Sequence, residues 1–241
     1  VIGIASAGPI NLQTGSISPV NIPTWREFPI VEHFSKLLGT SNIVLHGDAV
    51  ALAHAEFKIG AGKGCKNMLG MVVSTGIGGG LIIDGEVFNG ISGNAGYFGH
   101  HSISFQSDLC TCGRNGCIEL FASGPKMVLH AKQIGWQGPG NDFQALAESA
   151  KLGDQFALAS IDKGARALAS GIVNVLCILD INTVVVGGGV TEAGAIYWDA
   201  LSKHVQSEAQ KVDFIKQVDL RKSKLNRDAG LIGAALAVLD R

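Results

Sequence analysis

Three cysteines crowd into the run Cys110-Thr-Cys112-Gly-Arg-Asn-Gly-Cys117, and His100 and His101 stand ten and nine positions before the first of them. Three thiolates plus one imidazole make up the donor set of a structural zinc site, so a Cys3His site with one of the two histidines is expected. A disulfide framework fits less well. The cysteine count of five is odd, and Cys110 and Cys112 are too close in the chain to bridge easily. Unliganded thiols in a glycine-rich turn are the alternative. Cys65 and Cys177 stand apart; both are read as bland, and Cys177, in Val-Asn-Val-Leu-Cys-Ile-Leu, as a core packing residue.

A second chemistry is written in glycine, which supplies 33 of 241 residues against a usual share of about 7%. Ser74-Thr75-Gly76-Ile77-Gly78-Gly79-Gly80 can present successive N–H groups and a hydroxyl to an anion. A ligand-free hairpin turn would read the same way. Gly62-Lys63-Gly64 lacks the Ser/Thr and the leading spacing of a Walker A loop, and the hairpin context of Thr75 to Gly80 contradicts a dinucleotide fingerprint. A third candidate is Asp48, a carboxylate directly after an apolar run and before a helical one. Strand-to-helix junctions of this kind collect ligands, although an Asp there also caps a helix.

The elements that must position these groups alternate. A strand is expected over 1–6, a turn at Ala7-Gly8-Pro9, a helix around 29–38, a strand over 42–45 and a helix after Asp48. Two β-rich runs, 68–74 and 81–84, form a hairpin, followed by an Asp84-Gly85 turn. Residues 123–179 read as mostly helical, with breaks at Gly135 to Gly140 and at Gly153. A buried strand over 183–186 and a turn at Gly187-Gly188-Gly189 follow, then a helix from Thr191, with Thr191 as its cap. An Ala-rich terminal helix could pack closely through Gly230 and Gly233. The class is α/β.

With 46% apolar and 16% charged residues, the chain can bury a large core, which excludes disorder and charged coiled coil. The net charge is −1 without blocks of like sign, so nucleic acid is not expected as a partner. The longest apolar candidate for a membrane span, 171–186, is interrupted by Asn174, Asp180 and Asn182. No export signal is visible, which points to a cytoplasmic protein. The start at Val1, inside an apolar run, suggests missing upstream sequence.

Taken in order, Gly93-Asn-Ala-Gly-Tyr-Phe-Gly-His100 and Cys110-Thr-Cys-Gly-Arg-Asn-Gly-Cys117-Ile-Glu119 resemble the signature of the ROK family of bacterial sugar kinases and sugar-responsive repressors. Ser74 to Gly80, Val184 to Gly189 and Asp228-Ala-Gly-Leu-Ile-Gly-Ala-Ala are similar to further family segments. The resemblance implies an actin-like, ribonuclease-H-like fold of two lobes closing over a cleft: a small lobe of 1–47 plus 229–241, and a large lobe of 48–228 carrying a zinc loop at 100–117. It implies Asp48 as catalytic base, and Gly8, Gly47, Tyr97, His100 and Glu119 as sugar contacts. Thr75, Gly76, Gly78, Gly187, Gly188 and Gly189 would hold ATP with Mg2+, while His100, Cys110, Cys112 and Cys117 would hold structural Zn2+. Homodimers or homotetramers are common in the family.

Three departures bear on function. Tyr97 stands where the family usually has Glu, Gly47 where it has Asn, and the first phosphate loop, Asp-x-Gly-Gly-Thr, is absent from these residues. The leading expectation is a kinase acting on a hexose or N-acetylhexosamine. The alternatives are a non-catalytic sugar sensor, either a repressor's effector portion or a pseudokinase, and an unrelated zinc-stabilised domain.

Overall fold

The structure, a computed structural model, describes residues 1–20, 22–215 and 217–240. In chain order the elements are β1 (Ile2–Ser6), β2 (Ile10–Asn11), β3 (Ser16–Ile17), α1 (Ile30–Leu38), β4 (Ile43–Gly47), α2 (Asp48–Ile59), β5 (Met68–Val73), β6 (Ile77–Ile83) and β7 (Glu86–Phe88). Then come α3 (Glu119–Ala122), α4 (Gly124–Ile134), α5 (Phe143–Lys151), α6 (Gln155–Leu179), β8 (Thr183–Gly187), α7 (Ala195–Ala209), β9 (Asp219–Lys222) and α8 (Ala229–Leu239). A sheet of five strands runs in the order β7-β6-β5-β8-β9. Contacts divide the chain into one unit of Val1–Met71, Gly78–Tyr97 and Ser223–Arg241, and another of Val72–Ile77 and Phe98–Lys222.

The first unit is organised by α2. Its residues Ala49 to Glu56 are all buried, and four of them are alanine. The alanines are small enough for neighbouring backbones to close in. A Cβ on Gly233 of α8 would lie 1.8 Å from the Ala51 carbonyl oxygen, and one on Gly80 of β6 would lie 2.7 Å from Val50 Cα. Glycine is therefore required at both contacts. Gly230, expected to share this role, faces open space instead. Beside this packing, β1 and β4 pair in parallel from Ile2↔Ile43 to Ser6↔Gly47, and Ile10, Ile17, Ile30 and Leu45 form a small cluster backed by Ile4, Phe28, Val31 and Phe34.

Glu56, with no exposure, accepts hydrogen bonds from Ala61 N at 2.7 Å, Leu225 N at 2.8 Å, Lys224 N at 3.2 Å and the Ser223 hydroxyl. A carboxylate offers about four lone-pair positions, so these donors compensate its desolvation. The contact fastens the end of α2 to the segment that leads into α8.

In the second unit, α6 packs against α3, α4, α5 and α7. Asp154 caps it by accepting from Phe156 N and Ala157 N, both at 2.9 Å. The expected breaks are present: Gly135 at φ 119° ends α4, and Gly153 at φ 91° precedes α6. Three local expectations need correction. Gly78 to Gly80 lie inside β6 rather than in a turn. Thr191 opens a short 3-10 turn and donates its hydroxyl proton to the Gly188 carbonyl at 2.7 Å, while α7 itself begins at Ala195. Cys177 is only half-buried, because its position on α6 falls at the margin of the helix's packed face.

Replacing Glu56 by Gln leaves the same shape but sets an amide NH2 group against backbone N–H donors. The expected result is a loss of unfolding free energy on the order of 3 kcal/mol, read from the urea midpoint at unchanged m; a loss below about 1 kcal/mol would contradict the assigned role.

Candidate functional site

Strands β1 and β4 end in register at Ser6↔Gly47, so the Ala7-Gly8-Pro9 turn and Asp48 leave the same edge of a parallel pair, the edge where α/β folds gather ligands. Asp48 is exposed in the first turn of α2, and its Oδ1 accepts from Ala49 N at 2.7 Å. A Cβ placed on Gly8 would lie 3.5 Å from Asn94 Oδ1 and 3.7 Å from Tyr97 Cε2. Gly8, Gly47, Asp48 and Tyr97 thus belong to one unit, with Gly8 directly against the segment that carries Tyr97.

Asn94 had no role assigned from sequence, and the structure gives it one. Its Oδ1 accepts from Ile10 N at 2.8 Å and its Nδ2 donates to Ile10 O at 2.7 Å. This pair of bonds fixes the Gly8-Pro9-Ile10 turn. An Asn among glycines reads as a turn former, which is why its long-range role left no local signal.

In the second unit, His100, Cys110, Cys112 and Cys117 place one donor atom each within 4.8 Å of one another, a set that could hold a metal ion. Cys112 Sγ is 3.5 Å from Cys117 Sγ, and Cys110 Sγ is 3.4 Å from His100 Nδ1. Burial, with the neighbouring thiols Cys112 and Cys110, pushes the Cys117 thiol up to about 12. His101 does not join the cluster; its carbonyl accepts from Ile118 N at 3.0 Å, and burial, then the charge of Arg114, lowers its imidazole's pKa.

Glu119 follows two residues after Cys117 and opens α3. Its Oε2 accepts from Ile77 N at 2.8 Å. That amide closes the Ser74-Thr75-Gly76 turn, in which Ser74 N donates to Gly76 O at 2.9 Å. The Gly187-Gly188-Gly189 turn meets the same strand end: Val190 N donates to Val73 O at 3.1 Å, and a Cβ on Gly188, at φ 98°, would strike Val73 O at 2.4 Å. Thr75, Gly76, Gly187, Gly188 and Gly189 are therefore gathered in one region. Gly78 is not in that turn. It lies in β6, where a Cβ would come 2.7 Å from Ala49 Cβ, so close packing on α2 accounts for this glycine.

The model of the ROK family matches residues 1–241. The chain belongs to the ROK family. It is 30% identical over 249 residues to a glucokinase of Streptomyces coelicolor, covering 97% of this chain and 78% of that one. It is 32% identical over 246 residues to an N-acetylmannosamine kinase of Haemophilus influenzae, covering 99% and 77%. Among solved structures, a ROK family glucokinase from Streptomyces griseus in complex with glucose and AMPPNP superposes with a TM-score of 0.89 at 29% identity, covering 99% of this chain and 81% of that chain. The fold is that of the ROK sugar kinases.

Within this ROK protein, the path of the Gly8-Pro9-Ile10 turn depends on the side-chain amide of Asn94. Asn94→Ala removes both Ile10 bonds and leaves a backbone donor without its acceptor, which costs about 1–3 kcal/mol. The Ile10 amide is expected to exchange with solvent faster than in the parent, as measured by hydrogen–deuterium exchange; unchanged protection would refute the role.

Proposed function

We propose that this protein is an ATP-dependent sugar kinase that transfers the γ-phosphoryl group to a hydroxyl of a hexose or an N-acetylhexosamine. The observation that carries the reading is Asp48, an exposed carboxylate at the ligand-gathering edge of a parallel pair, in a chain similar over nearly its whole length to a glucokinase and an N-acetylmannosamine kinase. AMPPNP in the Streptomyces griseus complex is an ATP analogue, which supports ATP as donor here.

In this reading Asp48 takes the proton of the attacking hydroxyl as the oxygen–phosphorus bond forms and the bond to the β,γ-bridging oxygen breaks, so that ADP leaves with the electron pair. Gly8, Gly47, Tyr97, His100 and Glu119 contact the sugar. The turns holding Thr75 and Gly76 and Gly187 to Gly189 present N–H groups and a hydroxyl to the phosphates, where Mg2+ bound with ATP would supply neutralising charge.

Zinc fits the His100, Cys110, Cys112 and Cys117 donors. A tetrahedral ion with Zn–S bonds of about 2.3 Å separates two sulfurs by about 3.8 Å, near the 3.5 Å between Cys112 and Cys117. With four protein ligands a bound zinc would have no open position for water, and it would serve to hold His100 and the start of α3 in place.

Tyr97 and Gly47, in place of a carboxylate and an amide, remove two polar partners of a sugar and favour a second reading, a non-catalytic sugar sensor. Turnover separates the two. ADP release from ATP and magnesium is expected in the presence of one of glucose, mannose, N-acetylmannosamine or N-acetylglucosamine, with Asp48→Asn lowering kcat about 10²- to 10⁴-fold. No sugar-dependent release from folded, metal-loaded protein would leave the sensor reading. Separately, metal analysis is expected to find about one zinc per chain, lost in Cys112→Ser together with thermal stability; a zinc-free protein of full stability would remove the metal from the account.

A further inference from the structure

The Ser74-Thr75-Gly76 turn is held from outside by Glu119, the first residue of α3, and by Gly124, the first residue of α4. Gly124 N donates to Ser74 O at 2.9 Å, and Glu119 Oε2 accepts from Ile77 N at 2.8 Å. The first bond is backbone to backbone and survives any change of side chain. The second rests on one carboxylate oxygen. The fit around that oxygen is close, since a Cβ on Gly76 would lie 2.8 Å from it. Glu119 is itself set by what precedes it. Ile118 is fully buried, its amide donates to His101 O at 3.0 Å, and its Cδ1 occupies the space that a Cβ on Gly171 would fill at 2.1 Å. The start of α3 therefore has little freedom to shift while the carboxylate reaches the turn.

We propose that Glu119 is a positioning residue for the nucleotide as well as a sugar contact: Oε2 holds the phosphate turn through Ile77 N–H, leaving Oε1 for a sugar hydroxyl, so that one carboxylate couples the two substrates. This rests on the kinase reading above. A hydroxyl donating to Oε1 fixes the plane of the carboxylate, and the fixed plane keeps Oε2 on the Ile77 amide. The turn is then ordered for ATP most fully when sugar is present. Linkage makes the effect reciprocal, so nucleotide must tighten sugar by the same factor. A kinase wired in this way would spend little ATP on water while sugar is absent.

The test is binding of AMPPNP with magnesium by calorimetry, with and without glucose or whichever sugar supports turnover. Glu119→Asp keeps the charge but draws the carboxylate back by one methylene, and Glu119→Gln keeps an oxygen at full reach. In the absence of sugar, Glu119→Asp and Glu119→Ala are expected to weaken AMPPNP about tenfold, while Glu119→Gln stays within about threefold of the parent although its sugar KM rises. The factor by which sugar tightens AMPPNP in the parent should fall toward one in Glu119→Asp. Circular dichroism and bound metal check that the fold is intact, and should Glu119→Ala not fold, the Asp and Gln pair decides. Sugar-free AMPPNP binding equal in the parent, Glu119→Asp and Glu119→Gln overturns the proposal and leaves the kinase reading standing. A parent protein that binds no AMPPNP with or without sugar overturns both.

Discussion

Helix α2 is the contact on which the first unit depends. It is buried along eight consecutive residues, Ala49 to Glu56, and it can be so because glycine on the surrounding elements lets their backbones reach it. Gly233 brings α8 against the Ala51 carbonyl, and Gly80 brings β6 against Val50. Interiors are packed tightly enough that one added methyl group at such a contact forces a shift. The two ends of the helix then take different chemistry. Its head carries Asp48 into solvent beside the Gly8 turn, and its tail carries Glu56 into a cage of four donors. A rigid helix fixed at its tail presents its head with little freedom, which the base role proposed for Asp48 requires.

The second unit solves a comparable problem with less regular structure. Its functional turns contain too few residues to hold their own shape, so they borrow it from their surroundings. The cysteine cluster and Ile118 settle where α3 begins, α3 supplies the oxygen of Glu119, α4 supplies the amide of Gly124, and these two hold the turn at Ser74 and Ile77. The Gly187 to Gly189 turn then rests on the adjoining residue Val73. Three stretches far apart in the chain are in this way brought to one place by a handful of directional bonds.

Much of this was legible in the residues. The Cys/His cluster could be read because its thiols are chemically rare and close together, and the α/β alternation because burial imposes a period on each element. Strand β1, helix α1, the β5–β6 hairpin, the glycine breaks after α4 and before α6, and the buried strand β8 all lie where periodicity and turn chemistry put them. The glycines were harder. Gly76 and Gly78 stand two positions apart in one run and look alike, yet one sits in a turn against Glu119 and the other in a strand against Ala49. Thr191 has a cap's chemistry but donates to Gly188 ahead of a short turn, because the chain needs Gly194 at φ 81° before α7 can start.

By itself, the sequence determined the family, the α/β class, the donor set of the cysteine loop and the carboxylate at the strand-to-helix junction. Each of these is written in neighbouring residues or in a period, and both survive without knowledge of the fold. Only the tertiary structure decided the tasks of Glu119, Asn94 and Glu56. Their partners lie 42, 84 and up to 169 positions away in the chain. A hydrogen bond has a short reach in space and none along the sequence, so a polar side chain's purpose becomes visible only once folding has brought its partner to it.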